Sequence, residues 1–217
     1  MNINNINTIL FDLDGTLINT NDLIMASFKH TFEHYYPGRY SDEELVGFIG
    51  EPLYHTFEKH DENLAEEMVA FYRKHNIENH DKLVTEFDGV FETVKTLSEN
   101  GYKMAIVTSK MRNTVEMGLK LTQLDQFFPV VITVDEVENP KPHPEQLETA
   151  MKKLSAVQSE TLMVGDSQYD ILGGQNAGVA TVGVSWTIKG RDFLSSYKPD
   201  YMIDHMAELL SIAGVNQ

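Results

Sequence analysis

Ile9-Leu10-Phe11-Asp12-Leu13-Asp14-Gly15-Thr16-Leu17 is the stretch whose reading decides the fold. Three consecutive apolar residues with no polar alternation predict a strand buried on both faces, as in a parallel sheet. The run stops at Asp12 and Asp14. At i and i+2 of an extended segment, their side chains point to the same side. Two carboxylates so placed repel each other unless a cation or a shared proton intervenes. A hard divalent ion such as Mg²⁺, which takes carboxylate, carbonyl and water oxygens, suits the pair. Gly15 lets the backbone turn sharply and brings N–H groups towards an anion. The plainer alternative is a turn capped by two Asp residues.

Similar apolar runs with polar endings recur along the chain. Met104 to Val107 ends in Thr108-Ser109, and Val130 to Val134 ends in Asp135-Glu136. Leu162 to Val164 ends in Gly165-Asp166-Ser167, Ala180 to Val184 in Ser185, and Tyr201 to Ile203 in Asp204. Segments with helical spacing separate them. Val90, Val94 and Leu97 share a face that Gly101 terminates, and helices are expected at Thr114–Leu121, Pro144–Lys153 and Tyr169–Ala177. This alternation predicts a doubly wound α/β parallel sheet, whose ligands bind beyond the C-terminal strand ends.

Leu17 to Lys82 breaks the pattern. It lacks β-branched runs and places Met25, Phe28 and Phe32 on one helical stripe and Met68, Phe71 and Tyr72 on another. The expected organisation is a core of residues 1–16 and 83–217 with a helical cap of residues 17–82 inserted after the first strand. A loop is expected near Gly47 to Pro52.

Phe11 to Leu17 strongly resembles the first signature of the haloacid dehalogenase (HAD) superfamily of phosphohydrolases. Thr108-Ser109, Lys141 in Lys-Pro-His-Pro-Glu, and Gly165-Asp166-Ser167-Gln168-Tyr169-Asp170 follow in the order of its remaining signatures. The resemblance implies Asp12 as a nucleophile forming an aspartyl-phosphate, and Asp14 as general acid and then base. It implies Mg²⁺ on Asp12, the Asp14 carbonyl and Asp166, with Asp170 supporting that shell. Thr108 and Lys141 would hold the phosphoryl oxygens, and Gly15, Ser109 and Lys110 would help bind substrate. Taken singly, Thr108 and Ser109 could cap a loop, Lys141 could be a solvated lysine, and Asp170 could N-cap a helix beginning near Ile171. Asp135 and Glu136 read as solvated loop charges.

Within the superfamily, Phe11 to Thr20, Lys110-Met-Arg112, Trp186 to Arg191 and Tyr197-Lys-Pro-Asp200 resemble the bacterial inorganic pyrophosphatases of the PpaX type. This implies pyrophosphate as substrate. A phosphomonoesterase such as a 2-phosphoglycolate phosphatase is the runner-up, with a sugar-phosphate mutase third. A binding protein that lost catalysis is the alternative outside enzymology, and the intact set of signature residues argues against it. The cations Lys110, Arg112, Lys189 and Arg191 could attract a highly charged anion. Glu51, in the cap loop, is expected to point away from such an anion or to meet a cation.

Composition narrows the remaining possibilities. The 217 residues carry 17 Lys and Arg against 33 Asp and Glu, a formal charge of −16. That charge repels nucleic-acid backbones and anionic lipid heads. With no cysteine there is no disulfide, thiolate metal site or Cys nucleophile. No apolar run approaches the roughly 18 residues of a membrane span. Met1 to Asn7 leaves no room for a leader before the first strand, so a cytoplasmic protein is expected. His30-Thr-Phe-Glu33-His34 matches a zinc-peptidase pattern, but no third ligand is evident and half-exposed cap residues are expected instead.

Overall fold

The computed structural model describes residues 6–215. The first five residues, on which part of the leader argument rests, lie outside the described residues. Strand β1 (Thr8–Phe11) is followed by the short β2 (Ile18–Asn19) and four helices, α1 (Asn21–Tyr35), α2 (Asp42–Phe48), α3 (Leu53–Glu58) and α4 (Ala65–Leu83). Strand β3 (Thr85–Glu86) then leads into strict alternation: α5 (Val90–Glu99), β4 (Lys103–Val107), α6 (Arg112–Leu121), β5 (Val130–Ile132), α7 (Glu145–Leu154), β6 (Thr161–Gly165), α8 (Gln168–Asn176), β7 (Ala180–Val184), α9 (Arg191–Ser195), β8 (Tyr201–Ile203) and α10 (Glu208–Ala213).

The six longer strands form one parallel sheet in the order β5-β4-β1-β6-β7-β8. All six apolar runs of the sequence are in it, flanked by helices as a doubly wound α/β sheet requires. The reason is visible in the alternation within each run. Ile9, Phe11, Met104, Ile106, Leu162 and Val164 enter one apolar cluster, whereas Leu10, Ala105, Val107 and Met163 enter the other. Successive residues thus bury opposite faces, and both faces are covered.

Register then gathers the strand ends. Phe11 sits opposite Ile106 on one side and Val164 on the other. Asp12, Thr108 and Asp166 therefore leave the sheet side by side. Between β5 and β6 the chain crosses over β1 and reverses its direction of winding. Such a switch point opens a crevice at the carboxyl ends of the strands.

The four helices between β2 and β3 build an apolar cluster of their own, including Phe28, Phe32, Leu45, Phe57, Met68 and Tyr72. Phe28 is its hub. Its ring lies 4.9 Å from Tyr72 and 6.0 Å from Phe57, in tilted and edge-on arrangements that favour aromatic pairs. Two chain crossings join this layer to the sheet, and they pair as a two-residue antiparallel ladder, Ile18 with Glu86 and Asn19 with Thr85. Two residues per strand carry too little alternation for a sequence pattern to register, so the ladder was not foreseen.

Two local readings need correction. The strand expected to run to Val134 stops at Ile132, because Val134–Glu136 forms a 3₁₀ turn. Glu136 accepts hydrogen bonds from the Thr133 backbone and hydroxyl there, a reciprocal cap that competes with the ladder. Asp170 is not the N-cap of a helix starting near Ile171. Ser167 caps α8, and Asp170 occupies the third helical position of a capping box.

Candidate active site

Lys141 stands at the centre of the strand-end crevice and is only 2% exposed. Its ammonium donates to Asp12 Oδ1 at 2.8 Å, to Asp170 Oδ1 at 2.5 Å and to the Val107 carbonyl at 2.8 Å. The solvated-lysine alternative is thereby excluded. Burial works against its charge, but Asp12 and Asp170 outweigh that and hold its pKa above the ordinary lysine value. Gln146, fully buried, fixes the backbone around it. Its Oε1 accepts from the Lys141 N–H at 3.1 Å, and its Nε2 donates to the Thr108 carbonyl at 2.9 Å. One side chain thus ties the β4 loop to the Lys141 loop. Sequence reasoning missed Gln146. The available signal was a polar residue on the buried face of α7, beside Leu147 and Ala150.

Asp12, Asp166 and Asp170 are all buried and offer carboxylate oxygens within 4.8 Å of one another. Burial pushes the Asp12 carboxyl up to about 7, with Lys141 pulling it down and Asp170 adding to the rise. Burial also raises Asp166 well above the usual carboxylate range, and the charges of Asp12 and Asp170 raise it further. One cation among three carboxylates leaves two charges uncompensated, which is the charge of one divalent ion. The donor set is all oxygen, as Mg²⁺ or Ca²⁺ prefers. A metal ion therefore fits this cluster.

The oxygens are not equally available. Asp170 Oδ2 accepts from the Ser167 N–H at 3.0 Å and its hydroxyl at 2.6 Å, while Oδ1 takes Lys141. Asp170 thus contributes charge and orientation more readily than a direct metal bond. Gly15 makes room for Asp166. It has φ of +77°, and a Cβ there would lie 2.4 Å from Asp166 Oδ2. Only glycine satisfies both demands.

Asp14 lies outside this cluster, and its Oδ1 accepts from Lys110 Nζ at 2.7 Å. Both side chains are mostly buried. Thr108 is 1% exposed, and its Oγ1 accepts from the Lys110 N–H at 3.2 Å. A cavity of about 320 Å³ opens above these groups, lined from below by Asp12, Asp14, Thr108, Ser109, Lys110 and Lys141. The helical layer closes it from the other side with Ile24, Phe28, Phe48, Leu53, Tyr72 and Arg73.

The sequence-level cations divide sharply. Lys110 faces the cavity. Arg112 turns away to Glu136 and the Val131 carbonyl, and Arg191 pairs with Asp204. Asp135 and Glu136 are exposed turn residues, as expected of solvated charges, and they also bond Arg112. Lys189, in the segment after β7, reaches the Gly47 carbonyl in the last turn of α2 at 3.4 Å and Gln168 Oε1 at 3.2 Å, so the expected loop begins only after Phe48. Gly50, between α2 and α3, has φ of +94° and approaches Ser167 so closely that a Cβ would lie 3.1 Å from its Cβ. Glu51 meets a cation, Lys59. His30 and His34 stack on Phe71 instead of converging on a metal.

The comparisons agree with this architecture. The sequence profile of the family described as "Haloacid dehalogenase-like hydrolase" matches residues 9–184. Pyrophosphatase PpaX of Bacillus mycoides (strain KBAB4) is 59% identical over 207 residues, covering 95% of this chain and 96% of its own. A haloacid dehalogenase-like hydrolase from Bacteroides fragilis superposes with a TM-score of 0.88 at 25% identity, over 94% of this chain and 99% of its own. A predicted phosphoglycolate phosphatase from Haemophilus somnus 129PT superposes with a TM-score of 0.80 at 27% identity, over 95% and 97%. Matched by the profile over most of its sequence and by solved relatives over nearly its whole fold, the chain belongs to the haloacid dehalogenase-like hydrolases.

Proposed function

We propose that this phosphohydrolase cleaves inorganic pyrophosphate to two phosphates with Mg²⁺, through an aspartyl-phosphate on Asp12. The observation that carries the chemistry is the buried Asp12 carboxylate, held by Lys141 at the floor of the cavity and backed by Asp166. The 59% identity to a relative named Pyrophosphatase PpaX supports the substrate.

An Asp12 carboxylate oxygen forms the new bond to phosphorus. The bridging P–O bond breaks, and its electron pair leaves with the departing phosphate. Asp14 protonates that oxygen. Water then attacks the phosphorus and gives its proton to Asp14. The Asp12–phosphorus bond breaks, which restores the carboxylate. Thr108 and Ser109 hold the transferring oxygens and Lys141 places its positive charge beside them, because charge spread over these oxygens must be neutralised in transfer. Asp14 can carry its proton on the oxygen that Lys110 does not hold. Asp12, the Asp14 carbonyl and Asp166 would hold Mg²⁺, with Asp170 orienting the set. When bound, the ion supplies charge neutralisation at the transferring phosphoryl oxygens and at Asp12.

Residues 17–82 act as the cap over a core of residues 1–16 and 83–217, excluding water from the closed site. The separate cluster around Phe28 and the β2–β3 ladder support that division. No described helix is long and apolar enough to cross a membrane, and the enzyme acts on a small anion in the cytoplasm.

A phosphomonoesterase is the second reading, because Ile24, Phe28, Phe48 and Leu53 give the cap side of the cavity an apolar wall that suits an organic leaving group. Phosphate release measured in parallel on pyrophosphate, 2-phosphoglycolate and sugar phosphates separates the two. Pyrophosphate is expected to give the highest kcat/KM, by about tenfold or more, the equivalent of a single charge-assisted hydrogen bond. A higher value on any organic ester overturns the substrate assignment.

Mg²⁺ is also expected to stabilise the fold. An ion that binds only the native state at 100 times its Kd adds about 2.7 kcal/mol. For a chain of this size that raises Tm by about 5–10 °C. Asp166→Asn is expected to lose most of this rise. A full rise in the variant would remove Asp166 from the ligand set.

A further inference from the structure

The cavity holds a cation that neither the resemblance nor the mechanism above uses. Arg73 lies on the first half of α4 and lines the cavity from the cap side. The other three arginines are engaged: Arg112 with Glu136, Arg191 with Asp204, and Arg39 over the rings of Tyr36 and Tyr40. Among the described residues Arg73 has no carboxylate within ion-pair distance. In a protein with 33 acidic residues and only 17 basic ones, an arginine left at the mouth of an anion site is available to a ligand.

Its position matches a charge the reaction needs to neutralise. Hydrolysis of a simple phosphomonoester expels a neutral alcohol. Cleavage of pyrophosphate expels a second phosphate with about two negative charges near neutral pH. Lys141 serves the transferring phosphoryl group rather than the leaving one, and the other cations near the site have partners of their own. Lys141 binds Asp12 and Asp170, and Lys110 binds Asp14. Lys59 is held by Glu51, and Lys189 points to the Gly47 carbonyl and Gln168. Arg73 remains.

The helix presents it to the cavity that Asp12 and Asp14 line. Tyr72, Arg73, Asn76 and Ile77 all line the cavity, the i, i+3, i+4 spacing of one helical face. Tyr72 is buried, and the charge of Asp14 reaches its hydroxyl. Asp14, the group assigned to protonate the leaving oxygen, lines the same cavity as this turn of α4. A planar guanidinium can grip two phosphate oxygens at once.

We propose that Arg73 binds the leaving phosphoryl group of pyrophosphate from the cap side and so selects a diphosphate over esters whose leaving group carries no phosphate. This rests on the pyrophosphatase reading, and the test separates the two. With Mg²⁺ present, Arg73→Gln is expected to lower kcat/KM for pyrophosphate by about 10- to 100-fold, the range of a charge-assisted pair. For 4-nitrophenyl phosphate, whose leaving group lacks a phosphate, the expected change is under about 3-fold, within the range of a solvent-screened surface charge. Arg73→Lys should retain part of the pyrophosphate rate, as a point charge without the bidentate grip.

Calorimetry supplies a readout independent of turnover. Imidodiphosphate should bind the Gln variant about tenfold more weakly or worse, with orthophosphate affinity little altered. Equal losses on both substrates, or imidodiphosphate affinity unchanged by the substitution, overturn the proposal. If the native enzyme prefers organic esters, the pyrophosphatase reading fails by itself, and the imidodiphosphate comparison still decides the role of Arg73.

Discussion

Asp12→Asn is expected to abolish turnover, lowering kcat on pyrophosphate by about 10⁴-fold or more, the scale seen when a catalytic nucleophile is removed. The substitution conserves shape. An Asn oxygen can still accept from Lys141, so the contacts of β1 survive. The amide, however, has neither the negative charge nor the nucleophilicity to attack phosphorus. Loss of activity should not come from loss of fold. In the metal-free protein Asp12, Asp166 and Asp170 crowd one buried pocket with Lys141 as their shared counter-charge. Removing one charge relieves repulsion, so Tm without metal should hold or rise. A stable variant that turned over at the native rate would eliminate Asp12 as the nucleophile. Single-turnover phosphate release together with thermal unfolding checks both halves.

Lys141→Met carries the largest expected effect on stability. Lys141 is buried, and its three donors are spent on Asp12, Asp170 and the Val107 carbonyl. Methionine fills much of its volume but strands two carboxylates. Breaking a buried pair by removing one partner costs about 3–5 kcal/mol. At about 2–4 °C per kcal/mol for a chain of this length, Tm should fall by about 6–20 °C. The pH range follows from the sign of the shift. The folded pKa of Lys141 lies above its ordinary 10.5, so its contribution is complete below about 10.5 and is lost as pH rises through the folded value. Asp12, raised to about 7, takes up a proton below that value and is then no longer a stranded charge, so the destabilisation should be largest above about pH 7 and shrink as the pH falls through it. Adding Asp170→Asn removes one stranded charge and should recover part of the loss, because the two sites share a partner. Denaturant unfolding of the metal-free single and double variants tests this. A loss under about 1 kcal/mol in the single variant would mean that Lys141 stabilises no more than a surface lysine.

Much of the fold was legible because its signals are local. A strand buried on both faces must be apolar throughout, and Ile9 to Phe11 and Met104 to Val107 are. Helices between such strands must show a 3.6-residue stripe, as Val90, Val94 and Leu97 do. Sheet order and register, which these local signals leave open, deliver Asp12, Thr108 and Asp166 to one edge. The β2–β3 ladder was not legible, since two residues per strand show no period. Nor was the end of β5 at Ile132, where a side-chain cap by Glu136 decided the turn.

The sequence by itself determined which chemical groups arrive at the strand ends, because acids, hydroxyls and a lysine at those positions serve nothing in an apolar sheet. Tertiary structure alone decided how they pair. Lys141 meets Asp12 across 129 residues of chain, and Lys110 meets Asp14 across 96. Gln146 joins two loops, Arg112 turns away to Glu136, and Arg73 comes down from the cap. Partners so distant leave no periodic trace in the chain. They are chosen by burial, where each charge brought out of water must find an opposite charge or a hydrogen bond among the groups that folding has placed within reach.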